Sequence, residues 1–206
     1  MSDTPALNVT VWGEGEPAVF VHGSFGWGEE NVACAAAARR PVPARPRRPS
    51  RLRRKSCERE PPALSLLGDD LAAVDFSNGV QKAMAEASDP SDYRARFLRN
   101  FGFPAPDVEL EGPALEAARA SWHERNPGEA VIPFDKLRDI PALVVRGDWG
   151  KAPPLARERG AAIFHAICDV IERRLQAESA KFPAAHRPQE LGKPFNDTLR
   201  AFWETA

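Results

Sequence analysis

The sequence has no apolar run near the roughly 20 residues needed to cross a bilayer, so no helical membrane span is expected. The opening MSDTPALNVTVWGEGEP carries no basic stretch followed by an apolar one, and no secretory signal is expected from it. Cysteine is scarce: Cys34, Cys57 and Cys168 are odd in number and widely spaced. That spacing suits neither a disulfide framework nor a zinc site, and a reducing, cytoplasmic setting is the expectation. The four histidines, His22, His123, His165 and His186, never fall at i, i+4, and no H-E-x-x-H is present. No G-x-G-x-x-G is found either, so neither a metal nor a dinucleotide cofactor is expected.

What is present is uneven in charge. The net charge of −1 hides a run at 39–59 with ten Lys or Arg against the single acid Glu58, leaving 18 basic and 28 acidic residues elsewhere. Residues 33–56 hold eight Arg, six Ala and four Pro, with Val42 and Leu52 the only branched aliphatics. Prolines at 41, 43, 46 and 49 stop any helix, and no periodicity follows, so 33–59 is expected to be disordered or loosely extended. Ala, Arg and Pro share GC-rich codons, and the mixture reads as out-of-frame or junction sequence from about 33 to 59. A strand followed by G-x-S-x-G in another reading frame of the gene would bear this out; its absence from every frame would count against it.

The remainder alternates strand and helix patterns. Leu7–Trp12 alternates with period two, and Ala18–Val21 is a short continuous apolar run before the loop His22-Gly23-Ser24-Phe25-Gly26-Trp27-Gly28. Segments 69–87, 90–101 and 113–125 read as helices, the first with Leu71, Val74 and Met84 on one side. Ile140–Gly147 is a second buried-strand run. From Ala152 to Ala180 a helical region carries Ile163, Ala166, Ile167, Val170, Ile171 and Leu175 as one stripe. A last helix runs from Phe195 to Glu204, with Leu199, Phe202 and Trp203 on one face. Buried strands separated by helices argue for an α/β fold.

At Val19-Phe20-Val21-His22-Gly23-Ser24-Phe25-Gly26 the chain resembles the α/β-hydrolase family, in which an apolar strand ends in an HG loop. Val144-Val145-Arg146-Gly147-Asp148-Trp149 is similar to the late strand of that family, and Ala184-Ala185-His186-Arg187-Pro188 to its catalytic-histidine loop. Glu60-Pro61-Pro62-Ala63-Leu64 resembles the strand exit from which the chain leaves for a helical cap. The resemblance covers 7–32 and 60–206. It implies oxyanion-hole donors at the backbone of Gly23 and Ser24, a triad acid at Asp148 and a general base at His186. Trp27 would line a substrate pocket, and Glu60 is a less favoured acid. Asp148 also fits a turn residue after glycine, and His186 an exposed loop histidine.

The implied division is 1–32 for the first strands and oxyanion loop, and 33–59 for the basic insert. A helical cap-like region follows at 60–135, and 136–206 forms the C-terminal part of the hydrolase domain. The implied substrate is a small acyl or ester compound, with no cofactor. One departure is large. No G-x-S-x-G nucleophile motif occurs anywhere, and 24–59 is far too short for the strand–helix passages that would carry it. A truncated sheet, with the Ile140–Gly147 strand short of neighbours, and impaired or absent hydrolysis are therefore expected. The alternative is a non-catalytic interaction protein whose basic loop binds anionic partners. Specific nucleic-acid binding is not expected, because the run contains no aromatic residue to stack on bases. A salt-titrated binding assay with and without 39–59 separates these classes.

Overall fold

The computed structural model describes residues 56–204 except 106, 107, 125 and 130, and gives only the backbone at 56–59 and 127. The expected strands at 7–12 and 18–21, the residues Gly23, Ser24 and Trp27, and the basic run as far as residue 55 lie outside the described residues.

The fold is mixed α/β. Among the described residues, three parallel strands, β1 (Ser56–Arg59), β2 (Ala142–Gly147) and β3 (Glu178–Phe182), stand in the order β1-β2-β3. Arg59 lies opposite Val145, and Val145 opposite Ala180, so the three C-terminal ends leave the sheet along one edge. In β2 the run Ala142-Leu143-Val144-Val145 is buried throughout, as a strand covered on both faces must be. Ala142 and Val144 face the larger core cluster, with Phe76, Phe101, Trp149, Phe164 and Ile167. Leu143 and Val145 face a smaller one with Phe182, Phe195, Leu199 and Phe202.

The longer described helices of the excursion between β1 and β2 are α1 (Leu71–Glu86), α2 (Pro90–Asn100) and α3 (Gly112–Trp122). Asp70 caps α1 by accepting the Ala72 and Ala73 N–H groups, and Asp89 caps α2 through Ser91 and Asp92. After β2, a short turn at Pro154–Ala156 runs through a π-helical stretch, Arg157–Ala161, into α4 (Ala162–Leu175). The last helix, α5 (Lys193–Glu204), lays Phe195, Leu199 and Phe202 on the second face of the sheet. Among the described residues, no helix is long and apolar enough to cross a membrane.

The structure corrects several sequence expectations. β1 occupies the last four residues of the segment expected to lack regular structure. The helical region expected to reach Ala180 ends at Leu175, where Gln176 takes a left-handed φ of 51° and the chain turns into β3. Glu178-Ser179-Ala180-Lys181 has no β-branched residue and is mostly exposed, so pairing with β2 decides its conformation. β2 does not lack neighbours; it is paired on both sides. In α1 the inward face is Ala73, Phe76, Val80 and Ala83, whereas Leu71 is 82% exposed and Val74 is exposed too. Phe76, Val80 and Ala83 at i, i+4, i+7 present the larger apolar stripe, and the helix rotates to bury it.

Between β2 and α4, Arg146 donates to Asp169 Oδ1 at 2.8 Å and to Glu172 Oε1. Beside it, Cys168 is fully buried. Burial pushes its thiol up to about 12, against a smaller downward pull from the Arg146 charge. A thiol so placed is thiolate in about one molecule in ten thousand at pH 8. Iodoacetamide at pH 8 should therefore leave the Cys168 peptide unmodified in the folded chain and alkylate it fully in urea, as read by peptide mass mapping. Modification at equal rates in both conditions would contradict this packing.

Candidate active site

Three loops meet where the parallel strands end. The β1–β2 ladder continues one residue past the strand, through the Glu60 N–H to the Val145 carbonyl at 3.1 Å. On the other side, Asp148 N–H donates to the Phe182 carbonyl at 2.8 Å and Trp149 N–H to that of Ala184 at 2.9 Å. The last contact fixes the backbone two residues before His186. In an open α/β sheet this edge, outside the carboxyl ends of the strands, is where ligands bind.

The close approach of these loops depends on Gly147. A Cβ there would stand 2.1 Å from the Ala185 carbonyl oxygen and 2.3 Å from that of Ala184, so no side chain fits. Both backbone polar groups of Gly147 are used. Its N–H donates to Glu60 Oε1 at 2.8 Å, and its carbonyl accepts from His165 Nε2 at 2.8 Å. Because a carbonyl only accepts, the second bond fixes His165 with its proton on Nε2. His165 thereby serves the loop from α4, beside the apolar stripe, as a boundary histidine.

Glu60 is the centre of the arrangement. Its side chain is 0% exposed. Oε1 accepts from the Gly147 N–H and, at 3.0 Å, from the indole Nε1–H of Trp149, while Oε2 lies 2.9 Å from His186 Nδ1. A carboxylate out of water needs such partners, and here it has three. The imidazole itself is 41% exposed, so the acid is sealed while its histidine reaches the surface. The His186 ring rests on Phe164 with centroids 4.6 Å apart and lies 6.3 Å from Trp149. With Nδ1 donating to Glu60, Nε2 carries the free lone pair, and it meets no hydrogen-bond partner among the described residues.

Two backbone outliers sit at this point. Glu60 has φ 35° and Trp149 φ 58°, both left-handed and neither a glycine. Such conformations cost on the order of 1–3 kcal/mol each and persist where surrounding contacts over-determine them. Here the contacts are their shared hydrogen bond and the two ladder extensions.

The expected pairing of residues is rearranged by this geometry. His186 does stand at a carboxylate, but the carboxylate is Glu60 rather than Asp148. Asp148 is exposed, and its Oδ1 accepts the Gly150 N–H at 2.9 Å, the turn role an Asp after glycine often takes. Gly147 and Trp149 flanked Asp148 in the late-strand resemblance without a role of their own, and Phe164 carried no signal beyond apolar character. Glu60 carried a faint one, a lone acid at a strand exit ahead of two prolines. No serine or cysteine side chain hydrogen-bonds to His186 among the described residues, and none of the described His, Cys, Asp and Glu gather in threes to hold a metal. In comparisons with known proteins, no family model, curated protein or solved structure matches the chain.

Proposed function

We propose that this chain keeps the acid–base half of an α/β-hydrolase-like site for ester or other acyl substrates, with Glu60 as the acid and His186 as the base. The observation that carries the reading is the buried Glu60 carboxylate on His186 Nδ1, at the C-terminal edge of a parallel sheet, with Nε2 left open. In acyl transfer, Nε2 takes the proton of the attacking hydroxyl or water and later returns it to the leaving oxygen. Glu60 holds the reactive tautomer and stabilises the imidazolium formed in between. The sequence supplies no G-x-S-x-G serine to use that base, so turnover is expected to stay near background.

Two measurements test this. In ¹⁵N spectra of the neutral imidazole in labelled protein, Nδ1 of His186 should carry the proton and Nε2 should be bare. Glu60→Gln presents an amide N–H₂ to Nδ1 and should invert that tautomer. A parent chain with the proton on Nε2 would remove the reading. Short-chain aryl esters should be hydrolysed at the uncatalysed rate, and a fluorophosphonate probe should leave the protein unlabelled. Labelling that vanishes in His186→Ala would reveal a working nucleophile and show that the acid–base half is not alone.

A further inference from the structure

We propose that Trp149 is a positioning residue that aims the Glu60 carboxylate at His186; the inference rests on reading these two as an acid–base pair. Glu60 Oε1 receives two donors, the Gly147 N–H and the Trp149 indole N–H, from different directions. One donor would leave the carboxylate free to rotate about its last bond. Two on the same oxygen fix its plane, and Oε2 is thereby left for Nδ1 of His186 at 2.9 Å.

The surroundings are shaped to deliver that N–H. The indole is 1% exposed, at a strand exit with a left-handed backbone. Gly160, within the π-helical stretch before α4, makes room for it: a Cβ there would lie 2.9 Å from indole Cη2 and Cζ3. A π-helical turn inside a helix is a common mark of a functional site. Phe164 stacks on the indole at 6.0 Å and 14°, and the same Phe164 ring supports His186. A phenylalanine at 149 would satisfy the apolar contacts. Only tryptophan also reaches Oε1 with a donor. Glu60 is the charged partner on His186, while the Asp148 carboxylate is turned to Gly150.

The test reads the Nδ1 proton of His186, which a purely structural role for Trp149 would not move. In the parent chain that proton should appear as a downfield, slowly exchanging resonance. In Trp149→Phe its exchange with water should speed up about tenfold, the equivalent of one lost hydrogen bond to a charged acceptor, while a cooperative melt persists. Should Trp149→Phe fail to fold, benzothienylalanine at position 149 keeps the size of the indole and replaces its N–H by sulfur, and the same tenfold change is expected. Unchanged exchange in a folded variant of either kind overturns the proposal and leaves the Gly147 N–H as sufficient. Absence of the Nδ1 resonance from the parent chain overturns the Glu60–His186 reading itself, and this inference with it.

Discussion

Glu60→Ala is expected to destabilise the chain by about 2–6 kcal/mol. The carboxylate is the acceptor for two donors, the Gly147 N–H and the Trp149 indole N–H. Removing the acceptor leaves each unsatisfied in the interior at a cost of about 1–3 kcal/mol. Against a typical total of about 5–15 kcal/mol, that is a large fraction of what holds the domain together. Glu60→Gln gives the contrast. Its amide oxygen still accepts from both donors, so the loss should be much smaller, although its N–H₂ faces His186. Urea melts of the two variants should therefore separate widely, with the alanine variant the weaker. If alanine costs less than about 1 kcal/mol, Glu60 is not the buried hub the geometry describes.

Gly147→Ala should damage the site from the other side. The added methyl would meet two backbone carbonyl oxygens, those of Ala184 and Ala185, at 2.3 and 2.1 Å. Backbone cannot swing aside as the tip of a side chain can, so the loop 183–187 must lift off the end of β2. Overpacking of this sort costs about 1–3 kcal/mol, and more where the collision is with fixed backbone. The lifted loop carries His186 away from Glu60, so the Nδ1 resonance should be lost along with the stability. Two bonds of the ladder extension, Asp148 N–H to Phe182 and Trp149 N–H to Ala184, should show faster amide exchange as well. A Gly147→Ala chain of parental stability with an intact Nδ1 signal would mean the loops have slack that the structure does not show.

The two variants probe different links of one chain of cause. Gly147 lets the loops approach, and Glu60 then satisfies what that approach buries. Loss of the first would orphan the second, so their combined effect should fall short of the sum, as for any residues sharing partners.

How much of this was legible beforehand depends on the element. The strand Ala142–Gly147 and helix α4 stood out in the sequence because continuous apolar runs and a 3.6-residue stripe record burial directly. Of that stripe Ile163, Ile167, Ile171 and Leu175 are buried, while Ala166 and Val170 are half-buried at its margin. The same logic failed for α1, where two apolar stripes competed and the one with Phe76 and Val80 was buried. It failed for β3, whose first four residues, Glu178–Lys181, have no strand preference of their own and pair because β2 offers a neighbouring edge. His186 as a candidate base came from motif resemblance, and the same resemblance put its acid at Asp148, with Glu60 less favoured.

The sequence by itself determined the local choices: which runs are apolar enough to be buried, that 69–87 and 90–101 hold helices, and that no G-x-S-x-G serine exists. Only the tertiary structure decided which carboxylate serves His186. Glu60 and His186 are separated by 126 positions and brought together by strand order, through β1 and β3 flanking β2. Periodicity describes a residue's own element, whereas a hydrogen bond across the ends of three strands depends on how those elements are arranged. Asp148, held to the Gly150 N–H, and Glu60, sealed under Trp149, are both acids at a strand exit in the sequence. The packing around each is what makes one a turn residue and the other a buried acid.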